Sequence, residues 1–328
     1  MPAEIKAETL ETLFTCYKNS QLKLRWPSVF TLPFWMQSWW QVFGYEYELF
    51  VHTVYKDGRL LGIAPLMLKD GEARLIGSPD VCDYLDFITS PDKRDEEEFF
   101  DILLPYLKES GVENLILNAQ RPDAAVFRGF FASERFPSPK AHFIREDQSY
   151  ELTLASSWED YLAALTKKQR HEVRRKLRRL QNEKENWNFR ILEKAAEVEA
   201  FIPDFFELFK ENSEKENFLT DQMQQYFQTL ISAGVKDNHA RFGLLDIDGI
   251  TAAAVLYFDY RDRIYLYNSG FKFAYRDLSA GLLSKVLCIK ESITTGHKAF
   301  DFLKGQEVYK SRLGGNPIPI YTVTIPIS

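Results

Sequence analysis

The feature that most restricts the fold is an order of elements that occurs twice. Around Asp57-Gly58, the string FVHTVYKDGRLLGIAPLMLK reads as two apolar strands, 51–55 and 60–68, flanking a tight turn. An Asp-Gly step between such runs is a strong hairpin signal, because the turn needs positive φ. Asp70-Gly71 turns the chain into a third strand, 73–76, and within 96–110 Phe99, Phe100, Leu103, Leu104 and Leu107 fall at helical spacing. Gly111 stops that helix and VENLILN follows as a strand. The same order returns as strands 241–247, 251–260 and 264–268 about Asp248-Gly249, a helix at 279–294, Gly296 and the strand KAFDFLKG. The Asp-Gly turns lie 191 positions apart and the helix-stopping glycines 185 apart. Near-equal offsets point to an internal duplication, although this order is common enough to recur by chance.

The chain therefore reads as two α/β halves, 1–155 and 156–328, the second carrying a helical insertion at 156–235. Within the insertion, SWEDYLAAL opens on a capping serine, Ser156 or Ser157, and further helices are expected at 195–210 and 221–233. No low-complexity linker separates the halves. Trp35, Trp39 and Trp40 lie in PFWMQSWWQVFG, an amphipathic helix whose face belongs in the core.

A formal charge of −6 argues against a nucleic-acid coat protein. Cys16, Cys82 and Cys288 are scattered, with no CxxC or Cys/His cluster, so neither a disulfide framework nor a metal site is expected. Cys82 has no His near it in sequence, which argues against a cysteine nucleophile. No signal peptide and no apolar run long enough to span a membrane is visible, so a cytoplasmic protein is expected. The oligomeric state is not legible.

Several strings resemble the CelD-type acetyltransferase family, which is associated with bacterial cellulose synthesis and related to the Fem-type peptidyltransferases. They are SPDVCDYLDF (78–87), TKKQRHEVRRKLRRL (166–180), LDIDGITAAAVLYF (245–258) and YNSGFKFAYRDLSAGLLSKVLCIKESITTGHKAFDFLKGQEVYKSRLG (267–314). The most specific is DFLKGxExYK, from Asp301 to Lys310, and the resemblance runs from about Trp35 to Gly314. It implies a tandem GNAT-like α/β fold, two mixed sheets flanked by helices. It also implies an acyl-CoA (acetyl-CoA) co-substrate and an amine or hydroxyl acceptor.

In such a fold a helix N-terminus holds the donor's pyrophosphate, because its unpaired N–H groups and dipole favour negative charge. The second half opens its helix with Arg276, Ser279, Ala280 and Gly281, a cation and three small residues; the competing reading of the small trio is capping and close packing. The first half opens on Asp95-Glu96-Glu97-Glu98, which caps its own helix and repels phosphate. The donor side is thus expected in the second half, with the first a scaffold or acceptor platform. Tyr265 and Tyr267 mark a splayed strand whose backbone N–H polarises the thioester.

Asp301 is the candidate base, unless it is ion-paired with Lys304, Lys310 or Arg312. Tyr309 is the candidate proton donor to the leaving thiolate, or else a core aromatic. Lys310 anchors an anionic substrate or orients Asp301, and Gly305 permits a sharp turn that exposes these side chains. From Lys167 to Arg179 stand eight Lys or Arg residues and His171. As a helix, this run sets Lys167, Arg170, Arg174 and Arg178 near one face and Val173, Leu177 and Leu180 on another. Such a stripe attracts a sugar nucleotide, a phosphorylated glycan precursor, CoA or RNA, and the Fem-type relation implies Lys167 and Arg170 as acceptor-site residues. The basic residues are not interleaved with aromatics, which disfavours nucleic acid. A tRNA partner belongs to the alternative of an aminoacyl-tRNA-dependent transferase, and a non-catalytic scaffold in polysaccharide synthesis is a third reading. Asp83, Tyr84 and Asp86 alternate with apolar residues and are expected on a strand, lining an acceptor cleft between the halves or forming a hydrogen-bonded edge.

Overall fold

The computed structural model describes residues 3–132, 141–211 and 218–327. In chain order its strands are β1 (Ala3–Glu8), β2 (Glu48–Lys56), β3 (Arg59–Lys69), β4 (Glu72–Leu75), β5 (Ile88–Thr89), β6 (Asn114–Gln120), β7 (His142–Thr153), β8 (Trp187–Leu192), β9 (Ala240–Ile247), β10 (Ile250–Tyr260), β11 (Arg263–Phe271), β12 (Ala299–Lys304) and β13 (Asn316–Pro326). Its helices are α1 (Leu10–Lys18), α2 (Pro33–Phe43), α3 (Lys93–Glu109), α4 (Trp158–Ala164), α5 (Lys167–Glu183), α6 (Ala195–Lys210), α7 (Asp221–Lys236), α8 (Ala280–Thr294) and the short α9 (Val308–Arg312). Two compact units divide the chain, Met1–Gln148 with Ile318–Ser328, and Ser149–Pro317.

In the first unit the strand order is β1-β2-β3-β4-β6-β13, with β5 beside β3. The expected hairpin forms around Asp57 and Gly58, whose φ values are 52° and 75°. Neighbouring strands run antiparallel except β4 and β6, which pair in parallel over three positions, 72–74 with 114–116. The helix α3 lays Phe99, Phe100, Leu103 and Leu107 against this sheet, all completely buried. Each contributes about 1.5–3 kcal/mol relative to exposure. Trp35 and Trp39 of α2 are buried in the same unit, as its amphipathic pattern requires.

The second unit repeats the plan as β8-β9-β10-β11-β12-β7. Asp248 and Gly249 turn with φ of 53° and 78°, and β11 pairs in parallel with β12, again over three positions, 263–265 with 299–301. On one face, Val286 and Ile289 of α8 pack over Val255, Ile264, Leu266 and Phe300. On the other, Phe205 of α6 meets Phe242 at 4.9 Å and Phe227 of α7 meets Tyr267 at 5.8 Å.

The unit boundaries differ from the expected 1–155 and 156–328. Residues 149–153 of β7 pair with β12 in the second unit, and residues 321–326 of β13 pair with β6 in the first. Each half's closing strand is therefore supplied by the chain segment that follows the other half's core. The Asp83–Asp86 segment also departs from expectation, since it is irregular and strand pairing starts only at Ile88. Tyr84 is buried against Phe30 with the Arg121 guanidinium 4.8 Å from its ring, a core position within the first unit.

Candidate functional site

The basic run folds as α5, capped by Thr166 with Gln169 in a reciprocal capping box. Val173 and Leu180 are buried beneath it, as the helical spacing requires. Two of its cations reach the opening turn of α8. Lys176 Nζ donates to Ser279 Oγ, and Arg179 Nη1 donates to the Asp277 carbonyl at 2.9 Å. The Ser279 hydroxyl is thus occupied by Lys176 and does not cap its own helix, whose N-cap sits at a left-handed φ of 60°. In the same unit β11 and β12 part company. Their pairing ends at Tyr265 and Asp301, although β11 runs on to Phe271 and β12 to Lys304.

Along α5 lies a groove of about 1660 Å³ within the second unit. Eight Lys or Arg side chains line it against two glutamates, Glu159 and Glu172. Both acids are neutralised, Glu159 by Arg174 at 2.9 Å and Glu172 by Arg175 and Lys176 at 2.8 and 3.4 Å. Lys167, Arg170 and Tyr309 all line this groove, so three of the expected residues converge. Burial pushes the Tyr309 phenol well above its ordinary range, so it is protonated at neutral pH. Among the described residues no hydrogen-bond partner holds its hydroxyl.

Other expected residues have different roles. Asp301 is fully buried, its Oδ1 accepting the Leu303 N–H at 2.9 Å and its Oδ2 3.6 Å from Arg263, which also pairs with Glu151. A general base must reach the acceptor's proton. Asp301 sits in an ion-paired cluster with Arg263 as a partner, the arrangement of the competing reading given for it. Lys310 is also held within the protein. Its Nζ donates to the carbonyls of Leu303, at 3.1 Å, and Lys304, and pairs with Glu307 at 2.9 Å. An ammonium has three protons, and all three are spent inside the protein. Gly305, at φ 112°, makes the expected sharp turn, but the turn directs Lys310 inward: a Cβ there would stand 3.0 Å from its Nζ.

Gly281 is small for packing, since a Cβ would lie 2.8 Å from the Phe271 ring, and Ala280 is completely buried. Arg276 lies at the surface, its guanidinium 4.3 Å from the Phe273 ring centroid. Tyr265 is buried, with the Arg263 guanidinium 5.9 Å from its ring. Tyr267 turns toward Phe227 and Phe258, on the face opposite α8. In the first unit all four acids opening α3 are paired, Asp95 with Arg59, Glu96 with Arg128, Glu97 with Lys93 and Glu98 with Lys56. Phosphate repulsion there is therefore replaced by a helix opening already filled with its own ion pairs.

Lys285 was not anticipated. It is buried, its Nζ donating to the Gly281 carbonyl at 2.8 Å and standing 5.2 Å from the Tyr309 ring centroid. The available signal was a lysine among Leu283, Val286 and Leu287 on an otherwise apolar stretch of helix. Cys16, Cys82 and Cys288 are all buried, and Cys82 Sγ accepts from Trp35 Nε1, which fits a packing role. Among the described residues no cluster of three or more His, Cys, Asp or Glu is placed to hold a metal, and no helix is long and apolar enough to cross a membrane.

The likeness to FemX has a TM-score of 0.64 at 13% identity, covering 98% of this chain and 96% of that one. A conserved protein of unknown function from Bacteroides thetaiotaomicron gives 0.60 at 12% identity, covering 99% and 100%. The C-terminal domain of a putative lysylphosphatidylglycerol synthetase from Agrobacterium fabrum gives 0.60 at 10%, covering 96% and 90%. No curated protein matches the chain in sequence. The fold is the expected GNAT-like α/β fold, and residues 167–311 match the model of the acetyltransferase (GNAT) domain.

Proposed function

We propose that the chain transfers an acyl group from an acyl-CoA to an amine or hydroxyl of an anionic acceptor, with the donor held in the second unit. The observation that carries this reading is the junction of α5 with the opening of α8. Lys176 and Arg179, paired with Glu172 and Glu183 along α5, reach the opening of α8, where Gly281 packs against Phe271 at the end of β11. A pyrophosphate is stabilised there by both the dipole and the cations. The strands part beyond Tyr265 and Asp301, an opening through which a backbone N–H meets a thioester carbonyl in this reading. Tyr309, protonated and on the same groove, serves as the acid that meets the leaving thiolate. Lys167 and Arg170 attract the acceptor's negative charge. The CelD-type resemblance favours an acetyl donor and a glycan-precursor acceptor, and the catalytic half is the more basic one.

Thermal unfolding with increasing acetyl-CoA tests the donor. At a hundredfold excess over Kd, binding adds about 2.7 kcal/mol to the folded state. No shift in the unfolding midpoint at millimolar acetyl-CoA overturns the reading. Binding of aminoacyl-tRNA with a steep salt dependence, in place of acetyl-CoA, points to the Fem-type alternative. Once transfer is measurable, Tyr309→Phe lowers kcat by about 10²- to 10⁴-fold with little change in KM if it is the acid.

A further inference from the structure

The groove along α5 is larger and more apolar than a short acyl group requires. Ligand sites for small molecules occupy about 300–1000 Å³, and this one reaches about 1660 Å³. It extends from Thr166 to Gln181, about 22 Å at the helical rise of 1.5 Å per residue. Its floor is formed by Trp158, Leu162, Leu177, Leu282 and Leu313, from α4, α5, α8 and the end of α9. Leu162 and Leu313 are buried beneath it, while Trp158, Leu177 and Leu282 are only partly buried, so the groove presents apolar surface at those three side chains. The cations stand around this floor. Lys167, Lys168, Arg170, Arg178, Lys290 and Arg312 line the groove with no ion-pair partner among the described residues, whereas Arg174 and Lys176 are paired with the two glutamates.

We infer that the groove binds a phosphate-bearing molecule carrying a long alkyl or acyl chain, the chain lying on the leucine floor and the phosphate among the cations. The inference rests on the reading of this groove as the substrate site and specifies its chemistry. A free sugar nucleotide would satisfy the cations and leave the floor wet. A bare alkyl chain would cover the floor and leave the cations unused. The chain-bearing phosphate is either a long-chain acyl donor or an acceptor with a lipid tail.

The test is isothermal titration of the full chain with CoA, acetyl-CoA, octanoyl-CoA and palmitoyl-CoA, each below its micelle concentration. Lysophosphatidic acid is added as a chain-bearing phosphate without a thioester. Each methylene buried on the floor tightens binding by about fourfold, so octanoyl-CoA is expected to bind more than about a hundredfold tighter than acetyl-CoA. Octanoyl-CoA and acetyl-CoA binding within threefold of each other, in the unmodified protein, overturns the inference. In a folded Leu177→Gln, Leu282→Gln double variant, the octanoyl-to-acetyl ratio falls at least tenfold while CoA itself binds as before; an unchanged ratio also overturns it. Lysophosphatidic acid binding as tightly as palmitoyl-CoA assigns the chain to the acceptor, and its failure to bind assigns it to the donor. Acetyl transfer with no chain-length dependence removes this inference and leaves the transferase reading standing. Chain-length-dependent binding without any transfer does the reverse.

Discussion

Replacing Lys310 with methionine separates a brace from a substrate anchor. The side chain is 2% exposed, and its ammonium joins the carbonyls of Leu303 and Lys304 to the Glu307 carboxylate. Those carbonyls flank a strained turn, with Leu303 at φ 62° and Gly305 at φ 112°. Methionine keeps most of the volume and removes every donor. Two carbonyls then lose a charged hydrogen bond inside the protein, at about 1–3 kcal/mol each. Glu307 is largely exposed and adds little on its own. The expected loss is about 3–5 kcal/mol. For a unit of this size about 2–4 °C accompany each kcal/mol, so the second unit's transition falls by about 6–20 °C. Calorimetry resolves the two units' transitions where they unfold separately. A transition shifted by less than about 2 °C, together with abolished transfer, would refute the brace and return Lys310 to the substrate.

Three further outcomes follow from buried or partly buried groups. Burial raises the Asp86 carboxyl to about 7, against backbone N–H bonds from Phe87 and Ala125 that favour its ionised form. Its contribution is complete below the ordinary carboxylate value and is lost as pH rises toward 7. Asp86→Asn, which still accepts both bonds, is therefore expected to raise the urea midpoint at pH 8 by about 2 kcal/mol equivalent; no gain there refutes it. A hydrogen bond to Asp259, 3.1 Å away, raises the His297 pKa, so its stabilisation is present below about 6.5 and is lost as pH rises through the folded-state value. His297→Gln should flatten stability over that rise, and an unchanged pH profile would contradict the assignment. At Gly270 a Cβ would stand 2.5 Å from the Leu208 carbonyl carbon, so Gly270→Ala should cost about 1–3 kcal/mol by denaturant titration, and a neutral result would show that α6 can move away.

What the sequence disclosed follows from how local each signal is. The Asp-Gly turns were legible because positive φ is demanded by two adjacent residues, and α5 because charge and apolar periodicity coincide within one helix. The partner of Asp301 was not legible, because Glu151 and Arg263 meet it across strands from three separate parts of the chain. The same holds for β13, whose pairing with β6 spans some two hundred residues and leaves no local pattern. The inward direction of Lys310 is not legible either, because composition carries no direction: a lysine in a motif reads as a ligand for anions until the carbonyls it meets are known.

The two units make that last distinction physical. Backbone conformation repeats from one to the other: Gly111 and Gly296 take φ of 79° and 83° after their helices, and Ala119 and Leu303 take 56° and 62° near the ends of β6 and β12. Beyond each of these strands comes a short helical turn bearing a partly or fully buried cation, Arg128 in Val126–Phe130 and Lys310 in α9. The cations close on different targets. Arg128 reaches Glu96 at the opening of α3, with Nε to Oε2 at 3.0 Å, and so fills the first unit's helix N-terminus from within. Lys310 turns back onto the carbonyls of its own turn and leaves the opening of α8 to Lys176 and Arg179. Where the first unit meets its helix dipole with an internal carboxylate, the second brings up two cations that are already paired along α5, Lys176 with Glu172 at 3.4 Å and Arg179 with Glu183 at 2.7 Å. A positive helix end favours an anion, and on the proposed reading the donor's phosphates take that place in the second unit.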